Sequence, residues 1–530
     1  MNRAEVKRRQ AGEIANILLL AALWAAGQAA GNSGVAYMVV GVEVCALLWC
    51  AVGGSLSETL GKLLRGRRNK GQYKNAARMR SAALVFHGFL GLVGSLLLLL
   101  FGGQAAEGIF GVRYSTYIIM FLSPVILLRA LSSCILGYFQ GEGMEFPTAA
   151  AGVLRQVMIL GFGLLFARLM GDYGEKVSNL LLEKNFAPMY GGMGFALGVV
   201  LAELLVVVIL ALLYKGSRLS EKRSRQDGLY STDSFWDCVG YLCGGRWPQA
   251  LTFFLELLPL ALGAAAFGRA DGGAPAQYGA YAGQYLVICG MAVCLASVSV
   301  LPVSAKVFSS LRREETRFAR TAFESGVHIC VVHGVFGSLF LTFMAEQVTE
   351  LLNPEGRDTL LSMLRGGSFL ILAAALCSYF GRFLLSSGKR YHVLGAVGIS
   401  DLFFLAVMVF TGGTEGGALS LVYGSLAGMA VLCILLGLLS CSQMRMRLDW
   451  LNVLAVPAGA GAAAALVCLL FGGVLSPHLG TPVTLILALL VSGAVYWVIL
   501  LLLKNFREQE LEAIPGGKLI HMLGQMLRVY

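Results

Sequence analysis

Charge is scarce in this chain, and so is any polar stretch long enough to fold in water. Only 13% of the 530 residues are Asp, Glu, Lys or Arg, against 57% hydrophobic, and the mean hydropathy is +0.73. That balance lies far outside the range of soluble globular domains. The longest loops, around 215–245 and after Leu503, are each about thirty residues, too short for a separate catalytic domain. Nucleotide-hydrolysis and protease signatures are missing too: no G-x-x-x-x-G-K-[ST], no HExxH and no GxSxG occurs, so the chain carries no P-loop ATPase of its own. The 12 cysteines show neither CxxC nor Cys/His ligand spacing, which argues against a metal site or a disulfide framework. Most, such as Cys45, Cys134, Cys289, Cys330 and Cys433, fall in apolar stretches and serve as small apolar side chains. No cofactor is implied. The ten-residue alternation of a membrane β-barrel is absent as well.

What is present is a run of apolar stretches, at about 12–30, 35–58, 82–103, 114–136, 146–169, 190–214, 246–268, 278–303, 321–345, 360–385, 391–411, 417–440, 450–473 and 482–503. Each is long enough to cross a hydrocarbon core of roughly 30 Å as a helix. Backbone polar groups in hydrocarbon must pair within their own segment, so an all-α polytopic protein of about 14 spans is expected. The net charge of +11 does not indicate nucleic acid, because of where the positive residues fall. With the N-terminus inside, 30 of the 41 Lys and Arg lie on cytoplasmic segments. The loops at 31–34, 412–416 and 474–481 carry none. This bias places both termini in the cytoplasm, with the basic loops against anionic headgroups. The first span has the basic head and Ala-rich end of a signal peptide, but it is expected to be retained, since thirteen further spans follow and its loss would leave an odd number.

A weak echo recurs six spans apart. Ser55–Arg80 leaves the second span, and Ser299–Arg320 leaves the eighth, each beginning with small polar residues and turning into a basic helical stretch. Six-plus-six repeats with a substrate site between the halves are a common transporter plan. The expected organisation is an N-lobe at 1–214, a cytoplasmic linker at 215–245, a C-lobe at 246–440, two further helices at 441–503 and a cytoplasmic tail at 504–530. Pro124, Pro259, Pro302 and Pro457 lie in or at the ends of spans and can bend them. Pro259 and Pro302, in spans seven and eight, are the candidates for gating. Gly191, Gly192, Gly194 and Gly198 would let the sixth span approach a neighbour closely.

Six ionisable residues sit near mid-depth. Arg129 and Arg155 flank the 137–145 turn at similar offsets, which puts both guanidiniums roughly 12–15 Å from the inner boundary. Glu43, Glu203, Glu256 and Asp401 lie at comparable depth by the same counting. An arginine there costs at least about 2.5–3.5 kcal/mol. It needs an acidic partner, water or an anionic ligand. Either these charges pair to hold the helices in register, or they line a hydrated cavity for a charged substrate. In the second case a phosphate or diphosphate suits two forked guanidiniums. His328 and His333, five residues apart, do not share a helical face and read as satisfied polar residues.

Spans four and five carry a motif: Gly137-Tyr138-Phe139-Gln140-Gly141, then Met144, Pro147-Thr148-Ala149 and Gln156. It resembles the signature of the polysaccharide-biosynthesis and stage V sporulation protein B-like exporters, within the superfamily of multidrug, oligosaccharidyl-lipid and polysaccharide exporters. The stretch Gly71-Gln72-Tyr73-Lys74-Asn75-Ala76, the pair Tyr278-Gly279 and Pro302 add to the likeness. The resemblance implies fourteen helices, two six-helix lobes arranged as a V, and alternating access. It also implies a polyprenyl-diphosphate-linked saccharide or cell-wall precursor as substrate, in a bacterial cytoplasmic membrane. The chain departs from the pattern at Leu136, where the family carries Arg, and at Gly152 and Arg155, where it carries Gln and Glu. Its first span also lacks the arginines of lipid II flippases and has only Glu13, Asn16 and Gln28. Besides a flippase, two other functions fit the class. One is an antiporter coupled to Na+ or H+, for which Glu43 could serve as the buried acid. The other is a polytopic enzyme acting on lipid-linked sugars, for which Asp172, Glu175 and Glu183 form no convincing catalytic pair.

Overall fold

The computed structural model describes residues 3–221, 230–270, 274–352, 356–446, 448–449, 451–475, 478, 480–506 and 522. Part of the expected linker, 222–229, and most of the expected tail lie outside these residues. Thirteen helices among the described residues are long and apolar enough to cross a membrane. They are α1 (Glu5–Gln28), α2 (Ser33–Asn69), α3 (Tyr73–Ile109), α4 (Ser115–Glu142), α5 (Glu145–Leu181), α6 (Phe186–Ser217) and α7 (Phe235–Gly268), followed by α8 (Ala274–Arg312) and α9 (Thr316–Phe343). The last four are α11 (Arg390–Phe410), α12 (Ala418–Met444), α13 (Leu451–Leu475) and α14 (Thr481–Leu502). Between α9 and α11, Arg357–Gly367 and Leu370–Ser386 meet at 56° and are apolar enough together to cross; taken as one broken span, α10, they bring the number to fourteen. No strand occurs among the described residues. The protein is a multi-pass all-α membrane protein.

The patterning that builds these helices is inverted relative to a soluble bundle. On α3 the exposed positions include Val85, Phe89, Leu92, Leu96 and Leu100, an apolar stripe at helical spacing. The opposite, buried face holds His87, Gly91, Gly94 and Ser95. Lipid tails cover the first face, while small and polar residues let neighbouring helices close on the second. The same device joins α5 and α6, the most extensively packed pair. A Cβ at Gly194 would lie 2.1 Å from the Phe166 carbonyl oxygen, and one at Gly198 would lie 2.5 Å from the Gly163 nitrogen.

Two compact units emerge. One is Ala21–Gly283; the other combines Met1–Leu20 with Gln284–Tyr530. In the first, α2 is interrupted after Gly53, where Ser55 takes a left-handed conformation with φ of 57°. The continuing piece, Leu56–Asn69, is amphipathic and buries Leu56, Leu60 and Leu64, one residue per turn along a single face. In the second unit, Tyr496 of α14 donates to the Val332 carbonyl of α9 at 3.0 Å. His328 meets Asn505 at 2.6 Å, and His333 lies 3.3 Å from the Ser299 hydroxyl and 2.9 Å from the Ile329 carbonyl. Both histidines therefore have partners.

Candidate functional site

Within the unit Ala21–Gly283, three helices bring charges together. Arg129 of α4 reaches Glu203 Oε1 through Nε at 2.8 Å, and Arg155 of α5 reaches Glu203 Oε2 through Nε at 2.9 Å. Arg155 Nη2 also donates to the Ser132 hydroxyl at 3.2 Å, and that hydroxyl donates to the Arg129 carbonyl at 3.1 Å. Glu203, on α6, is fully buried, while the Arg129 and Arg155 side chains keep 32% and 17% exposure. One carboxylate thus faces two guanidiniums, leaving one positive charge in excess. The two arginines are not equivalent. Arg155 is held at both Nε and Nη2, whereas Arg129 uses only Nε among the described residues. The forked Nη pair of Arg129 remains available for a carboxylate or phosphate.

The other mid-depth acids lie elsewhere. Glu43 of α2 is 7% exposed and hydrogen-bonds the Tyr278 hydroxyl of α8. Glu256 is on an exposed position of α7. Asp401, on α11, belongs to the other unit, where its Oδ2 is buried and unpaired among the described residues. Pro259 lies inside α7 and Pro302 inside α8.

The signature motif has a packing role. A Cβ on Gly137 would sit 2.9 Å from Leu60 Cβ, and one on Gly141 would sit 2.7 Å from Leu64 Cβ. Both glycines let Leu56–Asn69 lie against α4. Between them Phe139 is buried, and Tyr138 packs edge-on against Tyr214 at 4.9 Å with the Arg80 guanidinium 5.3 Å above its ring. Arg65 Nη2 donates to the Gln140 carbonyl at 2.7 Å, and Arg68 pairs with Glu142. Pro147 falls in the first turn of α5, where its missing N–H costs nothing. Overpacking at such a site costs about 1–3 kcal/mol. Gly141→Ala is accordingly expected to lower the melting midpoint of purified protein, whereas Gly152→Ala, with open space around it, should leave it unchanged or raise it. Equal midpoints in the two variants would remove the packing role.

Two further arginines do work that the span pattern did not reveal. Arg246 of α7, 8% exposed, donates through Nη1 to the Val52 carbonyl at 2.7 Å and through Nη2 to the Ala51 carbonyl. Those carbonyls stand where α2 breaks, so their usual acceptance from residues 55 and 56 is lost, and the guanidinium replaces it. In the other unit, Arg382 of α10 pairs with Glu13 of α1 at 2.5 Å and contacts the Ser297 hydroxyl at 3.4 Å. The available signal was arithmetical: Arg129, Arg155, Arg246 and Arg382 are the cations left once the loops are counted. Each has an acidic or carbonyl partner.

Over 507 residues the chain is 21% identical to stage V sporulation protein B of Bacillus subtilis (strain 168), covering 92% of this chain and 93% of that protein. No protein-family model matches it. Its fold is shared with an inward-facing multidrug resistance MATE family transporter of the MOP superfamily, with a TM-score of 0.62, 14% identity, and 84% and 98% of the two chains covered. The lipid II flippase MurJ in its inward closed conformation matches at TM-score 0.62 and 12% identity, over 94% and 96% of the chains. A MOP superfamily transporter from Pyrococcus furiosus, whose binding pocket has reversed polarity suggesting a different function, matches at TM-score 0.55 and 14% identity, over 83% and 95%. The resemblance carried by the sequence motif therefore extends to a shared MATE-like fold.

Proposed function

We propose that the protein is an alternating-access exporter or flippase that moves a polyprenyl-diphosphate-linked saccharide or cell-wall precursor across a bacterial cytoplasmic membrane. Both termini lie in the cytoplasm on this reading, and the chain hydrolyses nothing itself. The carrying observation is the pair of arginines on one buried carboxylate, with the forked donors of Arg129 unspent. Such a site has excess positive charge and a geometry that fits a diphosphate. Lipid II flippase activity belongs to a protein of the same fold, and reversed pocket polarity occurs in another, as Arg155 in place of an acid would require here.

In this reading Arg129 and Arg155 contact the diphosphate, and Glu203 balances them when the site is empty. Glu43, Glu256 and Asp401 are further acids of the transport path, and Pro259 and Pro302 assist bending as the lobes at 1–214 and 246–440 rock. Transport of a fluorescent polyprenyl-diphosphate sugar in proteoliposomes tests it. A charge-assisted hydrogen bond of about 1.5–3 kcal/mol corresponds to at least about a tenfold effect. Arg129→Gln should thus lose about tenfold or more in flipping, with a smaller fall in melting midpoint than removal of Glu203 causes, and Arg129→Lys should be intermediate. Full flipping in both variants would take Arg129 out of the site. A cation-coupled multidrug antiporter is the second reading, favoured by the buried Glu43. Drug extrusion with no lipid flipping would select it.

A further inference from the structure

Away from the arginine cluster, three oxygens line up in the unit Ala21–Gly283. The Tyr278 hydroxyl of α8 lies within hydrogen-bonding distance of Glu43 Oε1 on α2, and it is 2.9 Å from the Leu260 carbonyl oxygen on α7. Glu43 Oε2 is buried with no partner among the described residues. A phenol has one proton to give. A carbonyl can only accept, so the Leu260 contact needs that proton. The Glu43 contact then needs a second proton, and the remaining place for it is the carboxyl. If Glu43 were a carboxylate, it would draw the phenolic proton to itself. The tyrosine lone pairs would then face the Leu260 carbonyl, and a full negative charge would sit on a group with one free oxygen in apolar surroundings. Burial of an unpaired charge of that kind is costly.

Among the described residues no cation pairs with Glu43, whose Oε1 meets Tyr278 and whose Oε2 meets nothing. Facing Glu43 are Tyr278 and, 6.2 Å from it between ring centroids, Tyr281 of α8. From α7 come the Leu260 carbonyl and, one turn earlier, Glu256. Close packing fixes the arrangement: a Cβ on Gly279 would lie 2.7 Å from the Ala36 backbone nitrogen. A π-helical turn, Tyr281–Tyr285, follows at once, a feature that recurs at functional sites.

We propose that Glu43 is a proton-binding site: its carboxyl donates to Tyr278, Tyr278 donates to Leu260, and the proton leaves to water only when α2 and α8 part at this point. The proton is taken up again when they meet. Calling this a coupling site for transport rests on the reading above, but the occupancy itself does not.

Difference infrared spectra of the purified full-length protein in liposomes at neutral pH test the occupancy without any transport assay. Wild type minus Glu43→Gln should contain a protonated-carboxyl C=O stretch, and the band should persist whether the salt is sodium or choline. Tyr278→Phe should keep the band but move it to higher frequency, because its acceptor has gone. The Gln variant should retain the wild-type melting midpoint, since its amide N–H can replace the carboxyl donor. A difference spectrum holding only carboxylate bands overturns the proposal. So does conversion to a carboxylate in sodium, which would make the site a metal-cation site, or a Gln variant that fails to fold.

Discussion

Glu203→Ala is expected to destabilise the protein by about 3–5 kcal/mol, because it leaves two guanidiniums near mid-membrane with no counter-charge. Glu203 is fully buried and accepts from both arginines, one on each oxygen. Removing it costs more than removing either arginine, which leaves the other pair intact. Folded yield in membranes and the melting midpoint in detergent measure the effect. Truncating Arg155 to Met in the Glu203→Ala background should recover part of the loss, since one unpaired charge is then removed, and the double-mutant cycle isolates that coupling. Wild-type stability in Glu203→Ala would mean that another group neutralises the cluster.

Arg246→Met should have an effect of similar size. The methionine fills the space but leaves the Ala51 and Val52 carbonyls without donors at the interruption of α2. Hydrogen bonds from a charged donor contribute about 1.5–3 kcal/mol each, and two are lost. Lys at this position should be intermediate, because a point charge cannot serve two carbonyls as the planar fork does. Thermal unfolding gives the magnitude, and faster amide exchange over 55–60 would place the damage at the break. Unchanged exchange there would show that the helix end finds water or another donor without Arg246.

The fold was legible because the demand of a bilayer is global: twenty apolar residues read as a span whatever surrounds them. The 56° bend in α10 was not, since nothing in the apolar profile marks Gly366-Gly367-Ser368 as a corner rather than a helical stretch. For the site, equal depth of Arg129 and Arg155 followed from counting residues on either side of one turn. That they share Glu203, and not Glu43 or Glu256, depends on the rotation of α6 about its axis, which is set by the backbone contacts of Gly194 and Gly198. The Arg246 role was hidden for a different reason. Its acceptors are main-chain carbonyls, and sequence does not display a carbonyl as free until the helix carrying it is known to stop. His328 is similar: its partner Asn505 lies beyond the last span and has no pattern of its own.

The contact of Gly137 and Gly141 with Leu60 and Leu64 bears on how such chains are sorted when genomes are searched. A motif built from those glycines identifies the joint between two helices. Two chains that share it share a way of assembling, which is a separate matter from what they carry. On the reading proposed above, cargo is a matter for positions 129, 155 and 203, which the motif does not include. A catalogue sorted by the motif alone would file a chain with Arg155 beside chains with an acid there, although opposite charges at one position favour ligands of opposite sign.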